Sequence, residues 1–356
     1  MTTTTQASAG RAQLSLSFES STEVRPPYIV RIGGLELETT VVYDSLWSFA
    51  AERQRMLYRR LRGDRILTRD PILKNNRFTN AFRAADRVSQ YLIAHVLPNS
   101  NEDPRDVLTR LLIFKLFNKI ETWQTLERDA GDIHWPMNAE ALSMALDNAL
   151  ARGEAIYSSA YIMAMPPGLS AKKHRNHIAL VSTIVNDGLA ERMTSAPSLG
   201  QVYQQLLEIP SFGPFLAFQL AIDWNYSHLG RFSENDFVVA GPGALNGIAK
   251  CFVDTRGIPP HDIIRFMTQG ARAEFSRLGI VFANLFGRDL RLIDTQNCLC
   301  ETDKYARAKY PEFNAGGRSQ IKQRYQRPNT TPLTFTFPQS WGLNTNLPPN
   351  DLVPVL

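Results

Sequence analysis

Apolar residues along this chain recur at helical spacing and seldom alternate. From Tyr43 onward, Leu46, Phe49, Met56, Leu57 and Leu61 fall on one face of an amphipathic helix, and Asp70-Pro71 stops or restarts the chain. The same periodicity predicts helices over 78–97, 104–117 with continuation through 120–126, 139–151, 173–193, 199–207, 214–224, 244–252, 262–278 and 290–308. Alternation suggests a small β element or extended arm only at 28–42, where Gly33-Gly34 supplies a turn. Residues up to about Val24 carry too little apolar content to pack and read as disordered. Beyond Pro311 the chain is rich in Pro, Asn, Gly and Thr, with Arg318, Lys322, Arg324 and Arg327 making its first part basic, and it reads as a flexible tail. The expected organisation is an N-terminal arm (1–40), a helical body (41–310) and a tail (311–356), with no repeat at a fixed period.

Composition narrows the class. A hydrophobic fraction of 44% and a charged fraction of 21% are those of a soluble globular protein, and no apolar run approaches the roughly 20 residues a membrane helix needs. Three cysteines, Cys251, Cys298 and Cys300, cannot all pair internally, and the first residues have no secretory pattern, so a cytoplasmic location is expected. The net charge of +5 is unevenly placed. Eleven basic residues (Arg53, Arg55, Arg59, Arg60, Arg62, Arg65, Arg69, Lys74, Arg77, Arg83, Arg87) against four acidic ones between positions 51 and 90 exceed the excess of the whole chain. That local field fits phosphate contact; the alternative is a solvated helix face whose arginines pair with neighbouring carboxylates.

The segment Leu206-Leu207-Glu208-Ile209-Pro210-Ser211-Phe212-Gly213-Pro214-Phe215-Leu216-Ala217 places helical periodicity on both sides of a Pro-x-x-Gly break. Gly213 can take a positive φ, Pro214 suits a first helical turn, and the free N–H groups there attract phosphate. The other reading is a plain corner between core helices. The pattern resembles the hairpin of helix-hairpin-helix DNA glycosylases, where Leu-x-x-Leu-Pro-Gly-x-Gly leads into a helix and then to a catalytic Asp. Ser211 stands where that family has its first Gly, and Phe215 where bifunctional members carry a Schiff-base Lys, so an imine with the sugar cannot form here.

A second set of blocks is more specific. The run from Arg77-Phe78-Thr79-Asn80 through Arg83, Asp86-Arg87 to Leu92, the stretch 114–122, Asp236 through Gly241-Pro242-Gly243-Ala244, and the stretch 294–305 are similar, in order, to the helical domain of 5-hydroxymethyluracil DNA kinases and the related α-glutamyl/putrescinyl thymine pyrophosphorylases. The resemblance implies an all-α, helix-hairpin-helix DNA glycosylase-like domain with double-stranded DNA carrying modified bases as partner. Gly-x-x-x-x-Gly-Lys-Ser/Thr occurs nowhere in the 356 residues, so phosphorylation by this chain itself is not expected.

Candidate chemistry falls at several points. Arg83, Asp86 and Arg87, at helical i, i+3, i+4 spacing, are expected on one face, as a phosphate or sugar grip or as a buried ion-pair network. Asn118 and Glu121, one turn apart, together with Gln296 and Asn297, are expected to line a pocket reading an extruded base, with core pairing as the other role for Glu121. Asp236, with Glu234 as competitor, is expected to stabilise a sugar cation or activate water, unless it is a helix N-cap. Ser211, Gly213, Arg83, Arg87, Gly241 and Gly243 are expected to contact DNA. His174 and His177 lack metal-like companions, and neither a metal nor a cofactor is expected. These readings favour a monofunctional DNA N-glycosylase acting on a 5-hydroxymethylpyrimidine-derived base; the alternatives are a base-hypermodifying transferase and a non-catalytic DNA reader.

Overall fold

The computed structural model describes residues 28–97, 103–159, 163–168, 170–314, 321, 324–325, 333–345 and 347. The N-terminal stretch read as disordered and most of the basic part of the tail lie outside them. An antiparallel hairpin, β1 (Ile29–Ile32) and β2 (Leu35–Glu38), opens the described chain, pairing Val30 with Leu37 across the Gly33-Gly34 turn. Both glycines have positive φ, as a tight two-residue turn requires.

Thirteen α-helices follow among the described residues, making the fold all-α. They are α1 (Val41–Leu61), α2 (Pro71–Asn75), α3 (Arg87–Tyr91), α4 (Pro104–Phe117), α5 (Ile120–Ala130), α6 (Ala139–Ala151) and α7 (Lys173–Asn186), then α8 (Leu189–Ser195), α9 (Leu199–Leu207), α10 (Pro214–Asn225), α11 (Pro242–Cys251), α12 (Pro260–Arg277) and α13 (Leu292–Lys309). No helix among the described residues is long and apolar enough to cross a membrane. Local chemistry sets the ends. Thr40, Asp70, Asp103, Asn138 and Ser198 each accept a backbone N–H from the first turn of the helix they precede. α10 and α11 instead begin at Gly-Pro pairs, where the missing proline N–H is no loss.

Two predicted helices are broken. The run 173–193 divides at Gly188, whose φ of +72° starts a new helix at Leu189. The run 78–97 becomes a 3₁₀ turn at Arg83–Ala85, the short α3 and a π turn at Leu92–Val96. Asp86 is extended (φ −74°, ψ 147°), so Arg83, Asp86 and Arg87 do not share a helical face.

Trp47, Trp123 and Trp224, on α1, α5 and α10, are fully buried and anchor one continuous core. α13 runs through it with most of its side chains covered. α11 crosses α13 at backbone distance: a Cβ on Gly247 would stand 2.2 Å from the Leu299 carbonyl oxygen, and one on Gly243 2.3 Å from Cys300 Sγ. These glycines are required by close approach, whatever their φ.

Candidate functional site

The Phe78-Thr79-Asn80 stretch has no secondary structure of its own, and side chains from distant elements satisfy its polar groups. Arg53 of α1 donates from Nε to the Thr79 carbonyl (2.9 Å) and from Nη2 to the Phe78 carbonyl (3.0 Å) and Asn80 Oδ1 (3.1 Å). From α13, Glu301 accepts the Thr79 N–H (3.0 Å), and Asn297 donates to Thr79 Oγ1 (3.0 Å) and the Asn80 carbonyl (3.2 Å). Asp86 accepts the Asn80 N–H at 2.6 Å. Burial lifts the Asp86 carboxyl to about 7, although that hydrogen bond works in the other direction.

This clamp sets the next residue but two. Arg83 is 6% exposed and points into the core. Its Nη2 donates to Asp223 (2.6 Å), its Nε to Gln219 (3.1 Å) and its backbone N–H to Asp294 (2.9 Å). Lys115 of α4 reaches the other Asp223 oxygen at 2.5 Å. Asp223 is 1% exposed; burial alone would raise its carboxyl, but the flanking Arg83 and Lys115 hold it below the ordinary carboxylate range. Asp294 titrates high, driven by burial and only partly opposed by Arg288 and by the N–H groups of Arg291 and Arg83.

The centre continues to the surface through aromatic faces. The Arg83 guanidinium lies 5.3 Å from the Tyr226 ring, whose phenol burial pushes up to about 12. Tyr226 meets Trp341 edge to face at 5.7 Å, and Trp341 lies 3.6 Å from the Arg288 guanidinium. Arg288 pairs through Nη2 with Glu234, itself 4% exposed. Glu234 Oε1 and Arg288 Nε, both buried, have no hydrogen-bond partner among the described residues.

Trp341 belongs to a strap, residues 333–345, that closes this end of the centre. Gln90 holds it by accepting the Thr336 N–H (2.9 Å) and donating to the Thr336 carbonyl (3.1 Å). Asn344 makes the same reciprocal pair with Phe337 (2.8 and 2.7 Å). Phe335, Phe337 and Trp341 stack in succession. This part of the tail therefore packs, where composition predicts flexibility.

The remaining expected site residues scatter. In the hairpin the left-handed residue is Ser211 (φ +71°), at the position of the glycosylase glycine; Gly213 has φ −88° and serves as N-cap of α10. Gly241, the N-cap of α11, lies against Phe215, and a Cβ there would stand 2.7 Å from that ring. Asp236 is exposed on the turn after Ser233, its carboxylate without a hydrogen bond among the described residues, while Arg265 holds its carbonyl. It caps no helix, since α11 begins six residues later. Asn118 is buried as the left-handed C-cap of α4 (φ +48°), but Glu121 is solvent-facing, 3.8 Å from Arg87. Gln296 is 3% exposed, its Nε2 near Gly241. Glu121 thus stands apart from the buried Asn118 and Gln296, and Asn297 is taken up by Thr79 and Asn80. Of the basic run, Arg53 and Arg83 are interior, Arg55 and Arg59 pair with Glu52, and Arg65, Arg69, Lys74 and Arg77 are exposed without ion pairs among the described residues.

Comparison with known proteins bears directly on this frame. Residues 40–315 match the model of the family described as 5-hmdU DNA kinase, helical domain. The chain belongs to that family. It is also 31% identical over 299 residues to the 5-hmdU DNA kinase of Bacillus phage SP10, an alignment covering 74% of this chain and 45% of the relative. The chain therefore spans less than half that relative's length. No solved structure matches. Membership in the 5-hmdU DNA kinase helical-domain family overturns the expected N-glycosylase and hydrolase: the named relative is a kinase, a transferase acting on DNA, and the hypermodification alternative agrees with it better. The glycosylase expectation pairs the hairpin with the Asp236 carboxylate, and that carboxylate is a surface group.

Proposed function

We propose that this protein binds DNA carrying 5-hydroxymethylpyrimidines and takes part in group transfer at the hydroxymethyl substituent, leaving the N-glycosidic bond intact. The observation carrying this reading is that the family block around Arg83 converges on one enclosed charged centre, with Lys115, Asp223, Asp294, Glu234 and Arg288, covered on one side by a single strap. Replacing such a network with apolar residues of equal volume is often neutral or stabilising, so stability alone is a weak reason to keep it. The name of the phage relative supports DNA and 5-hmdU as the substrate. The exposed Arg65, Arg69, Lys74 and Arg77 supply a sequence-independent grip on phosphates.

The test incubates the protein and an amine donor with DNA containing thymine, 5-hydroxymethyluracil or its phosphorylated form, following binding by fluorescence polarisation and the nucleosides by mass spectrometry. Binding to DNA and an enlarged base are the expected outcome. Released base and abasic sites, or no affinity for any of these DNAs, would overturn the reading.

A further inference from the structure

The first turn of α11 gathers hydrogen-bond donors that no acceptor meets. Its N-cap, Gly241, has no side chain to cap with, and no carboxylate lies in the turn. Pro242 carries no N–H, so the free donors are the N–H groups of Gly243 and Ala244; the next, that of Leu245, reaches the Gly241 carbonyl at 3.0 Å. An ordinary N-cap side chain accepts from those two groups, starting from its Cβ. A Cβ on Gly241 would stand 2.7 Å from the Phe215 ring and 3.6 Å from Gln296 Nε2, so the place of the missing cap is faced by a further donor. Gln296, on α13, is 3% exposed, and its amide makes no hydrogen bond among the described residues. A buried amide without a partner calls for an explanation, and here the helix N-terminus beside it makes the unmet need that of donors for an anion. The turn is open to it: Pro242 is exposed and Gly243 half-buried. α10, whose Phe215 lies against Gly241, also starts at a Gly-Pro pair with no carboxylate in its first turn, so no acid there competes for the anion.

We propose that the first turn of α11 and the Gln296 amide form a phosphoryl-binding site, in which phosphate oxygens accept from the Gly243 and Ala244 N–H groups and from Gln296 Nε2. That the phosphoryl group arrives on DNA rests on the proposed function; the site itself stands on the geometry. A backbone phosphodiester and a phosphate carried on the hydroxymethyl group of a base present the same oxygens to it. Gln296, expected from the sequence to read a base edge, holds a phosphate instead.

The test follows thermal unfolding of the full chain in inorganic phosphate and in chloride at equal ionic strength. Phosphate stabilises folded proteins in general, so the quantity read is the excess shift of wild type over Gln296→Met, which removes the amide at similar volume. Wild type should show that excess. Gln296→Glu, whose carboxylate supplies the missing acceptor, should have a raised Tm in chloride and no excess in phosphate. No excess in wild type, or a lowered Tm for Gln296→Glu, would mean that the amide carbonyl or a water already caps α11, and would overturn the site. Fluorescence polarisation with duplexes carrying one thymine, 5-hydroxymethyluracil or 5-phosphomethyluracil then identifies the source. A loss of at least about tenfold in Gln296→Met, the size expected for a hydrogen bond to a charged group, assigns the backbone phosphate if it falls on all three duplexes, and the phosphate on the base if it falls on the phosphomethyl duplex alone. Equal affinity of variant and wild type for all three would overturn this inference and leave the proposed function standing. Absence of DNA binding by wild type, with the phosphate shift intact, would instead sink the proposed function and keep the site.

Discussion

Replacing Asp223 by Asn removes one negative charge from the centre without changing its shape. Asp223 is 1% exposed and is shared by Arg83 at 2.6 Å and Lys115 at 2.5 Å, so the substitution leaves two buried cations facing a neutral amide in place of a carboxylate. Removing one partner of a buried pair typically costs about 3–5 kcal/mol, because the surviving charge keeps its desolvation penalty. Against a total stability of about 5–15 kcal/mol that is a large fraction. At an unfolding entropy of about 2.1 cal/mol/K per residue over the helical body, or about 0.6 kcal/mol/K in all, the loss corresponds to a fall in Tm of about 5–9 °C. The sign with pH follows from the carboxyl's depressed folded value: its contribution is present above the ordinary carboxylate range and is lost as pH falls through the folded value. Urea unfolding of wild type and Asp223→Asn at pH 7 and near pH 3 measures both effects, and the gap between the two proteins should narrow at the lower pH. Adding Lys115→Met should recover part of the loss, since it removes one of the two buried positive charges. A cost below about 1 kcal/mol at pH 7 would refute the reasoning, because it would mean that water or backbone already solvates the two cations.

Other substitutions test other parts of the molecule. Asp86 has a folded value near 7, raised by burial, so its contribution is present below its unfolded range and lost as pH rises through 7; Asp86→Asn should flatten the pH dependence of urea midpoints between about 4 and 7 and stabilise the protein at pH 8. Ser211→Gly relieves a side chain held at φ +71°, where a non-glycine residue costs about 1–2 kcal/mol, offset in part by chain entropy; a gain of up to about 1 kcal/mol in chemical denaturation is expected, and a loss would show the Ser211 side chain itself to be needed. Gly247→Ala forces a methyl to within 2.2 Å of the Leu299 carbonyl oxygen and should destabilise by at least about 2 kcal/mol, read as a lowered calorimetric Tm. Changing Arg65, Arg69 and Arg77 together to Gln should reduce the slope of log affinity against log salt by up to about 0.9 for each phosphate no longer neutralised, with discrimination between bases unchanged in fluorescence polarisation.

Much of the helical frame was readable from periodicity and caps. The predicted bounds 139–151 and 199–207 coincide with α6 and α9, where Asn138 and Ser198 mark the start. The hairpin before Pro214 was readable too, although its left-handed residue is Ser211, because the need for positive φ belongs to the bend and not to one residue type. The site was far less visible. Arg83 finds Gln219 and Asp223 more than 130 positions away, and nothing local distinguishes it from Arg87, which faces solvent. Glu234 and Asp236 are equally acidic and two residues apart; the fold buries the first under Arg288 and leaves the second in water. The strap is hidden in a composition dominated by Pro, Asn and Thr, and the alternation of Leu333, Phe335 and Phe337 with threonine lasts only five residues before Pro338 ends it. One signal was available: three aromatics within seven residues are more than a solvated tail needs.

The glycine contacts between α11 and α13 constrain where the protein can breathe. With main chain touching main chain at Gly247 and Leu299, no side-chain layer remains to absorb sliding, so the two helices must travel as one piece. Shear along that seam is therefore barred, and movement around the charged interior falls to elements fastened by a few hydrogen bonds, such as the strap at 333–345. In this architecture rigidity at the centre leaves motion to the periphery.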